Sequence, residues 1–280
     1  MLCPFLLASR QGPRPQGPAS RAGLTGHLPV TTIGSLVMAL LEIKNLNKSF
    51  GGLRAVIDFD LTIDKGEIVG LIGPNGAGKS TVFNLITGVY PPDSGHILFN
   101  ADNIVNRKPY ETCLKGIGRA FQVVKPFPDM TVLENTMVGA FSKVEKAGEA
   151  QVKAMEILDF VKLAPKRNLL AKNLTIADKK RLELARALAT DPSLLLLDEV
   201  MAGLNAKETE DTLVLIRQIR ERGITLFIIE HVMRVIMTLS DRVAIIHHGS
   251  KIAEGAPKEV AQDERVIKAY LGEAYVFARN

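Results

Sequence analysis

Lys79, Ser80 and Thr81 close the run Gly73-Pro74-Asn75-Gly76-Ala77-Gly78-Lys79-Ser80-Thr81, whose residue types suit chemistry on a phosphate. The run fits the spacing G-x-x-x-x-G-K-[ST]. Glycines let the backbone wrap an anion with its N–H groups inward, and the helix that follows adds partial positive charge. The lysine then reaches the β/γ-phosphates and the Ser80 hydroxyl reaches Mg²⁺. A glycine-rich turn alone carries no such meaning, so the flanks decide. An apolar run, residues 68–72, leads in, and an amphipathic segment, residues 80–87, leads out. The pattern points to a bound nucleoside triphosphate with Mg²⁺. A second group is Leu194-Leu195-Leu196-Leu197-Asp198-Glu199, two carboxylates ending a wholly apolar run. Ligands of open α/β sheets lie outside the carboxyl ends of strands. Asp198 is expected to hold Mg²⁺ through its water shell, beside Ser80. Glu199 is expected to polarise an attacking water, a role worth about 10²–10⁴ in rate.

These residues need a scaffold, and its outline is legible. Residues 40–46 and 55–63 alternate apolar and polar side chains, and Asp64-Lys65-Gly66 signals a turn. Residues 69–72 form the buried strand entering the loop. A short strand is expected at 96–99, after the turn Pro91-Pro92-Asp93-Ser94-Gly95. Residues 130–188 read as helices, with Thr131-Val132-Leu133-Glu134 as a capping pattern and apolar spacing over 150–161. Buried strands are expected at 194–197, 225–229 and 243–246, with a long helix over 207–222 ended by Gly223. Strands alternating with helices give an α/β core with a parallel sheet.

The chain has 280 residues and a formal charge of +5. Arg10, Arg14 and Arg21 supply most of that excess from residues 1–37, where no acid stands. The nearly balanced remainder gives no support for a nucleic-acid partner. Cys3 and Cys113 are too few for a disulfide framework or a Cys-rich metal site, which suits a reducing compartment. No stretch reaches the about 18 apolar residues that span a bilayer. Residues 1–37, rich in Gly and Pro, are expected to be an unstructured extension, with Met38 as an alternative start.

In the order of its motifs, the sequence resembles the ATP-binding subunits of ABC transporters over about residues 40–275. The resemblance implies a phosphate-loop NTPase core spanning 38–280, with an N-terminal antiparallel β subdomain and an inserted helical subdomain at about 118–188. Phe50, in Lys48-Ser49-Phe50-Gly51, matches the aromatic that stacks on adenine, a contact worth roughly 1–3 kcal/mol. Gln122, in Arg119-Ala120-Phe121-Gln122, matches the glutamine that senses Mg²⁺ and water and relays to the membrane subunit. Gly203-Leu204-Asn205 matches the loop that contacts the opposite subunit, and His231 matches the histidine on the γ-phosphate. His247 and His248 fall outside the pattern and read as loop residues.

The family's signature loop, Leu-Ser-x-Gly-Gln, stands here as Leu174-Thr175-Ile176-Ala177-Asp178. In the resemblance this loop donates to the γ-phosphate of the partner's ATP. Thr175 keeps a hydroxyl, and Thr175-x-x-Asp178 keeps a capping-box pattern. The Ala177 methyl crowds the phosphate. Asp178 sets a negative charge near it, where a unit pair at 4 Å repels by about 4 kcal/mol at an effective dielectric of 20. Lys179 and Lys180 are expected to offset that charge, and one of two composite ATP sites is expected to be weakened.

Within the family, the chain looks most like the ATP-binding subunits of branched-chain, or hydrophobic, amino acid importers. Phe50-Gly51-Gly52-Leu53-Arg54-Ala55-Val56, Gly116-Ile117-Gly118-Arg119-Ala120-Phe121-Gln122, Met201-Ala202-Gly203-Leu204-Asn205 and Val266-Ile267-Lys268-Ala269-Tyr270-Leu271-Gly272-Glu273 carry that likeness. It implies transmembrane permease subunits, a second ATPase subunit, a periplasmic binding protein, and a place on the cytoplasmic face of the inner membrane. Related subunits serve urea or amide import and lipopolysaccharide export. A soluble ABC ATPase or a non-hydrolysing regulator are the readings furthest from this one.

Overall fold

The computed structural model describes residues 39–230 and 233–271. The extension expected at 1–37 lies outside them. The first strands are β1 (Leu41–Phe50) and β2 (Leu53–Ile63), joined by a tight turn at Gly51 and Gly52. β3 (Ile68–Ile72) leads into α1 (Lys79–Ile86), followed by β4 (Ser94–Phe99), β5 (Asp102–Asn103), α2 (Pro109–Leu114) and β6 (Ile117–Ala120). Three longer helices come next: α3 (Val132–Ala140), α4 (Ala147–Phe160) and α5 (Ile176–Ala189). The rest alternates: β7 (Leu194–Asp198), α6 (Ala206–Glu221), β8 (Thr225–Ile229), α7 (Met233–Leu239), β9 (Arg242–His247), β10 (Ser250–Gly255), α8 (Pro257–Val260) and α9 (Glu264–Leu271).

Among the described residues the strands form two sheets. An antiparallel sheet runs β2-β1-β4-β5, and a six-stranded sheet runs β10-β9-β3-β8-β7-β6. Strands β9, β3, β8, β7 and β6 are parallel, and β10 returns antiparallel along β9. β3, β7 and β8 are buried along their whole length, as strands covered on both faces must be. Alternation along each strand sorts their side chains between two cores. Leu195, Leu197, Leu226 and Ile228 pack with residues of α4, α5 and α6. Leu194, Leu196, Phe227 and Ile229 pack with Phe83 of α1 and with the antiparallel sheet. The Phe83 and Phe227 rings lie 5.0 Å apart in that second core. Burial of each such side chain is worth about 1.5–3 kcal/mol, and the summed burial fixes the strand order on which the phosphate loop depends.

Local sequence explains where the helices begin. Thr131 accepts from the Glu134 N–H while the Glu134 carboxylate takes the Thr131 N–H, so α3 starts on a capping box. Asn205 and Glu208 do the same for α6, whose buried Thr212, Leu215, Ile216 and Ile219 follow helical spacing. Gly223, at φ 84°, ends that helix in the left-handed conformation. Residues 117–120, at the edge of the expected helical block, instead form β6 of the core sheet, and the helices begin at Val132. His247 closes β9 and is no loop residue. No helix of the described residues is long and apolar enough to cross a membrane.

Candidate nucleotide site

β3 delivers Gly73 to the edge of its neighbour β9 so closely that a Cβ there would lie 2.0 Å from the Ile246 carbonyl oxygen. Gly78 is bound by conformation as well as space: φ is +110°, and a Cβ would meet the Ala55 oxygen at 2.3 Å. Between them Pro74, Asn75, Gly76 and Ala77 form the turn, with Asn75 and Gly76 exposed at its mouth. The Ala77 carbonyl accepts from the Gly249 N–H at 2.9 Å, and the Gly249 carbonyl accepts from Ile57 at 2.8 Å. The turn between β9 and β10 therefore ties the phosphate loop to the antiparallel sheet.

Lys79 begins α1 buried, with its Nζ donating to the carbonyls of Gly73 at 2.6 Å and Pro74 at 2.9 Å. Burial holds its ammonium below the usual lysine range, against the opposing pull of Glu199 and Asp198. Ser80 is exposed beside it, and Thr81 is half-buried. These residues line an open cleft of about 770 Å³ together with Phe50, Arg54, Gln122, Glu199 and His248. Phe50 sits at the rim, 41% exposed, its ring 5.1 Å from that of Tyr90 in an edge-on pair. A larger cleft of about 900 Å³, between α4 and the start of β7 and β8, carries none of these groups.

Asp198 ends β7 as expected, and a residue the sequence reading passed over holds it. Arg119, from β6, places Nη2 2.7 Å from Asp198 Oδ2, and both side chains are nearly buried. The same guanidinium donates to Asn84 Oδ1 at 2.7 Å and lies over the Phe121 ring. Asp198 Oδ1 is buried and accepts no hydrogen bond from the protein. Glu199 follows in a left-handed conformation, φ 46°, its N–H donating to the Ile229 carbonyl at 2.9 Å. Its Oε2 accepts from Gln122 Nε2 at 2.5 Å, so the structure brings these two expected site residues together.

Among the described residues no three His, Cys, Asp or Glu side chains gather into a metal site. An Mg²⁺ held through one or two carboxylates, a hydroxyl and the phosphates of a nucleotide needs no such cluster. Asp198 Oδ1, buried and unsatisfied, is the oxygen such an arrangement requires.

The loop at residues 174–178 differs from the expectation in its electrostatics. Thr175 caps α5, accepting from the Asp178 N–H at 3.2 Å while its own hydroxyl donates to Asp178 Oδ2 at 2.9 Å. Asp178 is buried, and Lys166 Nζ reaches the same oxygen at 2.5 Å. Its charge is therefore neutralised by Lys166, a residue in the turn before the loop, rather than by Lys179 or Lys180. Ala177 is half-buried behind it. Lys180 turns the other way, towards Glu199. Gly203, at φ 76°, and Leu204 precede the Asn205 cap of α6, so this loop starts from the Glu199 turn. His231 lies outside the described residues. His248, read from sequence as a loop residue without a role, lines the cleft. Its place just past the carboxyl end of β9, a neighbour of β3, was the available signal.

The chain matches the ABC transporter family over residues 56–202 and the branched-chain amino acid ATP-binding cassette transporter family over residues 250–276. It is 39% identical over 253 residues to the high-affinity branched-chain amino acid transport ATP-binding protein BraF of Pseudomonas aeruginosa, covering 84% of this chain and 98% of that one. To LivG of Escherichia coli, of the same description, it is 40% identical over 251 residues, covering 84% and 98%. The lipopolysaccharide export system ATP-binding protein LptB of Escherichia coli is 36% identical over 239 residues, covering 85% and 99%. Among solved structures, the ADP conformation of MJ1267, an ATP-binding cassette of an ABC transporter, superposes with a TM-score of 0.77 at 33% identity, over 84% of this chain and 100% of that one. A dimeric, post-hydrolysis state of the cassette MJ0796 with ADP and Pi gives 0.70 at 26% identity, over 78% and 98%.

Proposed function

This chain belongs to the ABC transporter family of ATP-binding subunits, and we propose that it drives an importer of branched-chain or other hydrophobic amino acids. As a member of the family it binds nucleotide and hydrolyses ATP. The observation that carries the cargo reading is the near full-length likeness to BraF and LivG, joined to the C-terminal match at 250–276.

In this proposal each residue of the cleft has a task. Phe50 offers its ring face to adenine. The backbone N–H groups of residues 75–81 surround the phosphates, and Lys79 exchanges its two carbonyl partners for β/γ-phosphate oxygens. Ser80, Asp198 and Gln122 hold Mg²⁺. When bound there, the cation would supply neutralisation of the charge that develops on the phosphate oxygens. Arg119 holds Asp198 in place through its 2.7 Å ion pair. Glu199, oriented by Gln122, takes the proton of the attacking water. His231 contacts the γ-phosphate.

The remaining residues face outward to other subunits. Thr175, Ala177 and Asp178 lie against the ATP of a second ATPase subunit, like or unlike, and Gly203, Leu204 and Asn205 against that subunit's own loop. Because the Thr175 hydroxyl is committed to Asp178, and Asp178 to Lys166, the composite site on that side is the weaker of the two. Permease subunits dock near Gln122 and the inserted helices, fed by a periplasmic binding protein. The chain then sits on the cytoplasmic face of the membrane. ATP favours the closed pair of ATPases, and hydrolysis releases it.

Labelled leucine uptake tests the reading. Cells lacking this chain should lose uptake, regain it with the wild-type chain, and fail to regain it with Lys79→Ala. Uptake that survives removal of the chain, with lipopolysaccharide missing from the outer leaflet instead, refutes the import reading in favour of export.

A further inference from the structure

Glu199 is held in an unusual way. It has a positive φ of 46° without being glycine, a strained conformation that persists only where its surroundings impose it. Three elements impose it here. The N–H of Glu199 donates to the Ile229 carbonyl at the end of β8. The carbonyl accepts from Ala202 N–H at 3.2 Å and also from Lys180 Nζ at 3.2 Å. Lys180 stands in the second turn of α5, five residues past Thr175, and is only 8% exposed. The carboxylates of Glu230 and Glu199 attract its charge, Glu230 the more strongly. Glu230 is itself fully buried and accepts from the Met201 N–H at 3.1 Å, gripping the same turn two residues further on.

We infer that Lys180 is a positioning residue for Glu199, its ammonium fixing the Glu199 carbonyl so that the carboxylate is presented to the attacking water. This rests on the reading of Glu199 as the base. The geometry separates this task from a merely structural one. If Lys180 served only as counter-charge to Glu230, removing both charges together would be harmless. If it aims Glu199, the Glu199 carbonyl still loses its Lys180 donor when both charges are gone and keeps only the Ala202 N–H. The arrangement also gives the first two turns of α5 different duties. Its cap meets the neighbouring subunit's nucleotide, and its second turn sets the carboxylate serving the chain's own.

The test uses the full chain in its assembled transporter, with Lys180→Met, Lys180→Arg and the pair Lys180→Met with Glu230→Gln. The paired variant leaves no uncompensated buried charge, so it keeps the question open to experiment even where Lys180→Met alone fails to fold. A lost charge-assisted hydrogen bond to the backbone that carries the reacting carboxylate should lower kcat by about 10- to 100-fold in Lys180→Met and in the paired variant. ATP affinity and KM should stay within about twofold, and Lys180→Arg should recover most of kcat, since guanidinium can donate to the same carbonyl. Wild-type kcat in the paired variant, or a fall in kcat matched by an equal loss of ATP affinity, overturns the inference. Glu199→Gln is measured alongside. If that variant hydrolyses ATP at the wild-type rate, the reading of Glu199 as base is what has failed. If it is inert while the paired variant is unaffected, only the role of Lys180 has failed.

Discussion

Arg119→Met offers the most quantitative test of how the catalytic edge is assembled. The guanidinium and the Asp198 carboxylate approach to 2.7 Å with side chains 7% and 4% exposed, so neither charge has water to fall back on. Removing one partner of such a pair costs about 3–5 kcal/mol, because a buried charge is left uncompensated. Methionine fills most of the volume, so little of the loss would come from packing. For a domain of this size each kcal/mol moves the melting temperature by about 2–4 °C, which places the expected drop at roughly 6–20 °C by calorimetry. Two further arms identify the cause. Combining Arg119→Met with Asp198→Asn should recover most of the loss, since the orphaned charge is gone. ATP with Mg²⁺ should raise the melting temperature of Arg119→Met more than that of the wild type, because the cation replaces the missing positive charge. A drop below about 2 °C, or a double variant no more stable than the single one, would refute the assignment of that energy to an unpaired Asp198.

Two other outcomes follow from the geometry. Ala177→Gly combined with Asp178→Gln should raise ATP turnover of the assembled complex roughly fivefold, the worth of about one net hydrogen bond regained at the partner's phosphate; unchanged turnover would dismiss the Thr175–Asp178–Lys166 arrangement as the cause of a weak site. Burial raises the Glu183 carboxyl above its ordinary value of 4.5, outweighing Arg186 and the Phe121 N–H. The folded chain therefore keeps that proton to higher pH than the unfolded chain. The stability it contributes is complete below 4.5 and is lost as pH rises through the raised value. Glu183→Gln should flatten the fall in melting temperature over that window, and a slope equal to the wild type's would count against a raised carboxyl.

Much of the site could be read from the chain because its signals are local. The phosphate loop needs glycine at 73 and 78 for reasons of backbone space, and those same residues spell the motif. β7 and β8 are legible because strands buried on both faces must be apolar throughout. The cap at Asn205 is legible because Glu208 stands three residues on. What escaped depends on distant partners. β6, with the sequence Ile-Gly-Arg-Ala, has no periodicity of its own and is a strand only because β7 lies beside it. Arg119 gains meaning from Asp198, 79 residues away. Lys166 neutralises Asp178 across a turn whose shape no local pattern specifies. Proximity in number favours Lys179 and Lys180 as the offsetting charges, yet Lys180 turns to the Glu199 carbonyl and Lys166 takes the Asp178 carboxylate. His248 enters the cleft because the β9–β10 turn docks on Ala77, a contact between segments more than 170 residues apart.

Lys79 meets an incoming nucleotide with its hand already full. Two peptide oxygens hold the ammonium, so phosphate contact at Lys79 is an exchange of its acceptors and not a simple addition. The heat released on loading should thus be smaller than a lone cation meeting a polyanion would give. The carbonyls set loose at Gly73 and Pro74 must then find water or new N–H groups, so the loop's own peptide oxygens compete with the phosphates for one ammonium.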